Sequence, residues 1–282
     1  MSRWLIHEDE AASGAVQMAR DEVALQRAAR RQMPSLRLYT WERLTLSVGR
    51  GQQVERQIDL DACRRLGIPV VRRITGGRAV LHGSDLTYAV AAPLAGPQAG
   101  AFAAAARAGI PGLYRELSRV FVRFFATLGM EPQVQVYTGR QRAELASPVC
   151  FATPSAFEIL LGGRKLVGSA QRLLPEAFLQ HGSLPLVPQG DVLAQVFRDG
   201  AGEAMAEVMT DLTSAGVLPR LTLAEVRGRL LECFAAEFDG ELAPTGWSGE
   251  EVAAVERLVP SYPDLAQVQE AQLDAPPIAA GT

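Results

Sequence analysis

A cysteine and a lysine fifteen residues apart are the pair in this chain best suited to covalent chemistry. Cys150 stands in Ser147-Pro148-Val149-Cys150-Phe151, followed by Thr153-Pro154-Ser155. That proline-flanked setting suits a nucleophile better than a core filler. Lys165 is the only lysine; the other 27 of the 28 basic residues are arginines, as a GC-rich coding bias would favour. A position that keeps lysine against that bias points to a need a guanidinium does not meet: a compact ammonium on a flexible stem, able to exchange a proton. The alternative is a lysine retained by chance on a solvated turn. A thiol reacts as its thiolate, which a neighbouring ammonium stabilises. Cys63 and Cys233 lie in helical apolar patterns, where thiols are usually inert. Three widely spaced cysteines make neither a disulfide framework nor a metal-ligand set. The acid-plus-histidine pattern of a thiol protease is absent.

Two further stretches could build a site around that pair. In Arg72-Arg73-Ile74-Thr75-Gly76-Gly77-Arg78-Ala79-Val80-Leu81-His82, the paired glycines let the backbone approach a ligand closely. Arg72, Arg73 and Arg78 could hold a carboxylate or a phosphate, including that of pantetheine. The spacing of a Walker-type phosphate loop is missing. A hairpin turn with solvated arginines is the competing reading, and His82 alone is more often a hydrogen-bonded structural residue. The second stretch is Gly163-Arg164-Lys165-Leu166-Val167-Gly168-Ser169-Ala170-Gln171, then Leu179-Gln180-His181-Gly182-Ser183-Leu184. A short glycine-bounded strand would aim Lys165 at a pocket, and Gly168, Ser169 and Ala170 would offer small side chains and exposed amides beside it. His181 and Gly182 are either another pocket wall or a turn into the strand at 184–186.

The elements that must position these residues follow from periodicity. A helix is expected over 8–31, strands over 36–41 and 44–48, and a short helix over 60–66 ending at Gly67. Strands at 69–74, 78–82 and 85–92 are separated by turn residues that point to antiparallel pairing. The apolar stripe Leu113, Leu117, Val120, Phe121, Phe124 and Phe125 predicts a helix over 111–128. A strand at 134–137 leads to the Cys150 loop, and 157–168 reads as a β-hairpin turning at Gly162-Gly163. Helices are expected at 191–199, 203–214, 222–238 and 248–258. The fold class is therefore α+β: mixed or antiparallel sheets flanked by helices, with a core over 1–190, a helical C-terminal portion over 191–260 packed on the same domain, and a mobile tail over 261–282. The net charge of −3 gives no nucleic-acid footprint. No apolar run approaches the roughly 18 residues of a membrane span, and the N-terminus turns acidic too early for a signal peptide. A reducing cytoplasm fits best.

Together these stretches resemble the biotin/lipoate protein ligase superfamily. The segment RRITGGRAVLHGSDLTY at 72–88 is similar to its acyl-binding signature, and GRKLVGSAQ at 163–171 with LQHGSL at 179–184 is similar to its second, lysine-bearing signature. Within the superfamily the pairing of Thr-Gly-Gly-Arg with Cys150-Phe151-x-x-Pro154-Ser155 resembles the LipM-type octanoyltransferases. ATP-dependent lipoate ligases more usually carry a third glycine where Arg78 stands here. Ala89 departs from a serine frequent in the family. The resemblance implies a biotin/lipoate protein ligase-like catalytic domain. It also implies transfer of octanoyl from acyl carrier protein, through a Cys150 thioester, to a lysine of a lipoyl domain such as glycine-cleavage H protein. Cys150 and Lys165 would then be catalytic. Arg72, Arg73, Thr75, Gly76, Gly77, Arg78, His82, Tyr88, Gly168, Ser169, Ala170, His181 and Gly182 would line the substrate, with no metal and no cofactor. The alternatives it leaves open are an ATP-dependent ligase, an amidotransferase between lipoyl domains, and a non-catalytic carrier-binding protein.

Overall fold

The computed structural model describes residues 2–136 and 157–268. Its first element is a strand, β1 (Ser2–Glu8), in which Trp4 and Ile6 point into the core at the two-residue period of a strand. The helix expected from residue 8 begins instead at Gly14 as α1 (Gly14–Arg31), because the Ser13 side chain accepts from Val16 N and caps it there. Then follow β2 (Ser35–Tyr39), β3 (Thr45–Val48), α2 (Val54–Gln57), α3 (Leu60–Leu66), β4 (Val70–Arg72), β5 (Val80–His82) and β6 (Asp85–Pro93). After α4 (Ala101–Ala105) and α5 (Gly109–Thr127) come β7 (Gln133–Val136), β8 (Phe157–Leu161), β9 (Arg164–Leu173) and β10 (Ala177–Pro185). The C-terminal part supplies α6 (Gly190–Val196), α7 (Ala201–Val208), α8 (Leu223–Phe238), β11 (Gly240–Pro244) and α9 (Gly249–Leu258).

Among the described residues the strands form a large sheet in the order β11-β1-β2-β6-β10-β9-β8-β7 and a small one in the order β4-β3-β5. The central strands β6 and β10 are buried along their whole lengths, as expected where both faces are covered. On one face Leu86, Tyr88 and Val90 meet the aromatic stripe of α5 and, behind it, α8. On the other, Ala89 and Ala91 meet α1, α9 and Tyr262. The small sheet has its own core with α3, α6 and α7, built on Leu46, Val48, Leu81, Leu193 and Met205. The expected hairpin closes as read, with Gly162 and Gly163 at φ 57° and 76°, a turn that asks for left-handed residues. No helix among the described residues is long and apolar enough to cross a membrane.

Three expectations are corrected. The strands at 69–74, 78–82 and 85–92 do not pair with one another: β4 and β5 flank β3, β4 in parallel because α3 intervenes as a crossover and β5 antiparallel, while β6 joins the large sheet. The helical C-terminal portion also contributes a strand, β11, parallel to β1 from Ser2↔Gly240 to Ile6↔Pro244. The tail expected to be mobile from residue 261 is packed over 261–268: Tyr262, Leu265 and Ala266 are buried, and Leu265 N donates to Val70 O at 2.7 Å. Asp264 Oδ1 accepts from Val70 N at 2.8 Å, so this segment is fastened to β4. Residues 269–282 lie outside the described residues.

Candidate functional site

Register fixes which motif residues share a face. On β10, His181 lies between Ala89 of β6 and Ala170 of β9, while Gly182 lies between Tyr88 and Ser169. Directly paired residues point to the same side of a sheet, so Gly168, Ala170, His181 and Ser183 face the small sheet and α1. Tyr88, Ser169 and Gly182 face α5. There the Tyr88 hydroxyl lies 2.7 Å from Ser169 Oγ and accepts from Gln180 Nε2 at 2.7 Å; Tyr114 OH donates to Ser169 O at 2.9 Å. Burial pushes the Tyr88 hydroxyl up to about 12. A Cβ on Gly182 would stand 2.5 Å from both Gly168 O and Tyr88 Cε1. Tyr88, Ser169 and Gly182, expected at the substrate, thus brace the strand pair from behind.

On the other side the β4–β5 loop folds over Ala170 and His181. The Thr75 hydroxyl meets His181 Nε2 at 2.6 Å, and His181 Nδ1 meets Asp21 Oδ2 of α1 at 2.6 Å. With Nδ1–H donating to the carboxylate, Nε2 accepts from Thr75. Burial lowers the pKa of His181 although Asp21 pulls the other way. Thr75 Oγ1 in turn accepts from Arg73 Nε at 3.1 Å. A second chain of the same composition arrives from β5: Asp85 Oδ2 lies 2.8 Å from His82 Nδ1, His82 Nε2 lies 2.9 Å from Ser47 Oγ, and Ser47 Oγ accepts from Arg73 Nη1 at 3.2 Å. Burial opposes ionisation of Asp85, yet its contacts with His82 and Thr87 prevail and hold its carboxyl below the usual range. His82 is also stacked on Trp41, ring centroids 4.1 Å apart.

Both chains end on Arg73, which grips the loop. Its Nη2 donates to Gly76 O at 2.8 Å and to Arg78 O at 2.7 Å, and its Nη1 donates to Ser47 O at 2.9 Å. No described carboxylate touches it, and burial pushes its guanidinium down to about 10. Arg72 is buried too, donating through Nη1 to the carbonyls of Gly49 and Gln52 at 3.0 and 2.9 Å. Among the described residues the hydrogen bonds of both arginines go to carbonyls and hydroxyls of the chain, where the sequence reading expected a carboxylate or phosphate. Gly77 has φ 83°, and a Cβ there would press on Arg73 Nη2 at 3.0 Å and approach Ala170 Cβ at 3.6 Å. Gly76 has an ordinary φ, and among the described residues nothing lies within 4 Å of where a Cβ would go. Of the two glycines expected at the ligand, one is required by the backbone and the other leaves a gap.

Lys165 sits near the start of β9, opposite a register shift between Ile159 and Leu160 in the β8–β9 pair. Its Nζ donates to Glu158 Oε1 at 2.7 Å, and both side chains are largely buried. Its carbonyl accepts from Thr210 N at 2.9 Å, which fastens the end of α7 to the lysine. A small slot of about 10 Å³ lies next to Gly168, lined by Val80, Leu81, Ser183, Leu193, Met205 and Met209 among others. Cys150 lies outside the described residues. The structure therefore brings together Thr75, Gly76, Gly77, Ala170 and His181, and puts Gly168 between the slot and Lys165, whose Cε is 4.0 Å from the position a Gly168 Cβ would take. Sequence reading missed Glu158, Ser47, Asp85 and Asp21. Asp21 left a signal: Gln17 and Asp21 are polar at helical spacing on the face that also carries Ala24 and Ala28, all buried.

A model of the lipoyl protein ligase A/B catalytic domain matches residues 13–235. Octanoyltransferase LipM of Carboxydothermus hydrogenoformans is 32% identical over 246 residues, covering 85% of this chain and 88% of that protein. Octanoyltransferase LipM of an Exiguobacterium species is 35% identical over 270 residues, covering 92% and 95%. Among solved structures, lipoate-protein ligase A bound with ATP gives a TM-score of 0.76 at 21% identity, covering 97% of this chain and 99% of that one. A bi-partite lipoate protein ligase from Thermoplasma acidophilum gives 0.72 at 20% identity, covering 92% of each. At those identities the structural likeness establishes the fold.

Proposed function

This chain belongs to the lipoyl protein ligase A/B catalytic domain family, and from that premise we propose that it carries octanoyl as a thioester on Cys150. The protein is an octanoyltransferase of lipoate biosynthesis, as its relatives at 32–35% identity over most of its length are named. The donor is octanoyl-acyl carrier protein, and the acceptor is a lysine of a lipoyl domain such as glycine-cleavage H protein. The observation that carries the reading is the buried Lys165, paired with Glu158 at 2.7 Å, together with a glycine loop that Arg73 holds folded over Ala170 and His181.

In the first step the Cys150 thiolate attacks the octanoyl carbonyl carbon. The bond to the carrier's sulfur breaks, and the departing thiolate takes the proton that Cys150 gave up. In the second step the neutral amine of the acceptor lysine attacks the Cys150 thioester. An amide forms, the carbon–sulfur bond breaks, and the amine's proton passes to the Cys150 sulfur. Activation is conserved through the first step and spent in the second, so no nucleotide is needed; this is the general advantage of covalent catalysis. Lys165, the cation of an ion pair with Glu158, is suited to stabilising the thiolate and the oxygen that turns anionic. One such donor is worth on the order of 3 kcal/mol in the transition state.

Incubation with octanoyl-acyl carrier protein and no ATP should raise the intact mass by one octanoyl unit, removable by hydroxylamine and absent from Cys150→Ala. Lys165→Arg keeps the charge but should lose on the order of a hundredfold in turnover, since a planar guanidinium does not fit the ammonium's place. An ATP requirement for transfer, or a Cys150→Ala variant that transfers at the original rate, would overturn the covalent reading.

A further inference from the structure

The signature stretches lie on β4–β6, β9 and β10, and α1 carries none of them, yet one α1 side chain reaches the site. Asp21 is fully buried and turns its two oxygens to different neighbours. Oδ1 accepts from Arg37 Nη1, whose guanidinium also meets Asp9 at 2.7 Å. Oδ2 accepts from Tyr39 OH at 3.1 Å and lies 2.6 Å from His181 Nδ1, 160 residues away in sequence. Neutralising Arg37 would not by itself require that second oxygen to face the site.

The carboxylate fixes where His181 carries its hydrogen. Paired with Arg37 it is an acceptor only, so Nδ1 holds the hydrogen in the 2.6 Å contact. Burial lowers the His181 pKa, so at neutral pH the ring is uncharged and Nε2 has a lone pair. Nε2 therefore takes the hydrogen of the Thr75 hydroxyl, 2.6 Å away. That leaves the lone pairs of Thr75 Oγ1 for Arg73 Nε, which donates at 3.1 Å. Every donor in the chain Arg73, Thr75, His181, Asp21 thus points towards the carboxylate. The far end of the chain is the glycine loop, since Arg73 Nη2 holds Gly76 O and Arg78 O at 2.8 and 2.7 Å.

We propose that Asp21 is a positioning residue for acyl transfer: by keeping the His181 hydrogen on Nδ1 it aims Thr75 and Arg73, and so sets the glycine loop against the acyl group. The inference rests on the acyl-transfer reading and adds to it a residue from an element without a signature. Asp21→Asn shows why a carboxylate is needed. Arg37 Nη1 demands an acceptor, so the amide oxygen takes the place of Oδ1 and the amide nitrogen faces His181. Nδ1 then becomes the acceptor and the hydrogen moves to Nε2. Thr75 Oγ1 now receives two donors, while its own hydrogen loses the acceptor it had. An asparagine imposes the same change of tautomer on the histidine of a serine-protease triad.

Two measurements test it. The chain has only three histidines, so single substitutions assign the His181 ring in a nitrogen-15 NMR spectrum. Wild type should show a protonated Nδ1 and an acceptor Nε2 at His181, and Asp21→Asn the reverse. The second measurement is a double-mutant cycle on octanoyl transfer from carrier protein without ATP, under conditions where each variant is folded. Asp21→Asn should lower kcat on the order of tenfold to a hundredfold and raise the donor KM far less, the mark of a misplaced group that acts in the transition state. Thr75→Val cuts the chain at its middle, so adding Asp21→Asn to it should lower kcat by no more than about twofold further. Asp9→Asn, at the other carboxylate of Arg37, should cost stability yet leave the His181 tautomer and kcat in place. The opposite tautomer in wild type overturns the proposal without any variant having to fold. So does a full, additive loss from Asp21→Asn in the Thr75→Val background, or an equal loss of kcat in Asp9→Asn; Asp21 is then a structural counter-ion while the activity stands. If wild type transfers no octanoyl without ATP, the reading beneath the proposal fails and the positioning role falls with it.

Discussion

Arg37 and Arg73 are both buried guanidiniums linked to Asp21, one directly and one through Thr75 and His181, and the protein neutralises them in opposite ways. Arg37 sits directly between two carboxylates, 2.7 Å from Asp9 and in contact with Asp21, and also donates to Gln17 Oε1 at 2.6 Å. Burial alone would lower its pKa, but the two aspartates raise it. The Arg73 guanidinium touches carbonyls and hydroxyls, and two buried aspartates reach it only through His181–Thr75 and His82–Ser47. Its pKa falls. One cation is cancelled where it stands. The other is held by carbonyls and hydroxyls, so its positive potential persists at the glycine loop where an acyl carbonyl would turn anionic. Asp21 belongs to both, accepting from Arg37 through Oδ1 and from His181 through Oδ2.

The strongest way to break this comparison is to remove each cation in turn. Arg37→Met leaves Asp9 and Asp21 without their counter-charge in the core, which should cost about 3–5 kcal/mol in urea unfolding. Arg73→Met leaves carbonyls and two hydroxyls short of a donor, which should cost about 1–3 kcal/mol. Its larger effect should be on acyl transfer, measured under conditions where the variant is folded. Equal losses of stability with transfer intact in Arg73→Met would mean that the two sites differ only in appearance.

Acid sharpens the contrast at the next level of effect. His7, beside Arg37, has no partner for Nδ1 among the described residues and receives Arg27 Nη1 on Nε2 at 3.1 Å. Burial, then Arg27, lowers its pKa to about 4. Above about 6.5 the imidazole is neutral whether the chain is folded or not, and its contribution is fully present. As pH falls from about 6.5 to about 4, the unfolded chain takes up a proton that the folded chain refuses, and stability declines by on the order of 2–3 kcal/mol. Asp9 and Asp85, held below the usual range, lose their contributions only at lower pH. His7→Phe should flatten unfolding free energy across that window. His181, also shifted down by burial, should give an acid limb in transfer rate that His7→Phe leaves in place. A slope unaltered in His7→Phe would remove His7 from the account.

Most of this scaffold was legible because its elements announce themselves locally. The α5 stripe, the Gly162-Gly163 hairpin and the cap at Gly67 each sit within one element, and all three stand where the sequence places them. What was not legible is pairing at a distance. β11 meets β1 across the length of the chain, and neither strand carries a feature that names the other. The same holds at the site. The motif residues could be chosen from types and spacing, but not the face each would take: Tyr88 and Ser169 turn to α5, whereas His181 and Ala170 turn to the loop, a distinction set by register alone. Arginines that read as ligand holders donate to loop carbonyls, because a guanidinium's contacts depend on which carbonyls fold around it.

The smallest and most local test lies within the pair Gly76-Gly77. The sequence expectation treats both as barred to any side chain; the geometry separates them. Gly77 is at φ 83°, where an alanine costs roughly 1–2 kcal/mol from strain alone. Its methyl would also displace Arg73 Nη2, the group that fixes the loop. Gly77→Ala should therefore lose both stability and transfer, following Arg73→Met in kind at a smaller size. Among the described residues Gly76→Ala meets nothing within 4 Å, and its φ is ordinary, so unfolding should change by no more than about 0.5 kcal/mol. Any loss of transfer in Gly76→Ala should then come from the open space its methyl occupies, as a raised apparent KM for the octanoyl donor with turnover maintained. That outcome would place the donor against Gly76 itself. Unchanged kinetics would mean that the donor passes elsewhere and that the loop serves only to carry the Arg73 cation. A Gly76→Ala variant as unstable as Gly77→Ala would contradict the loop geometry on which the comparison of the two arginines depends.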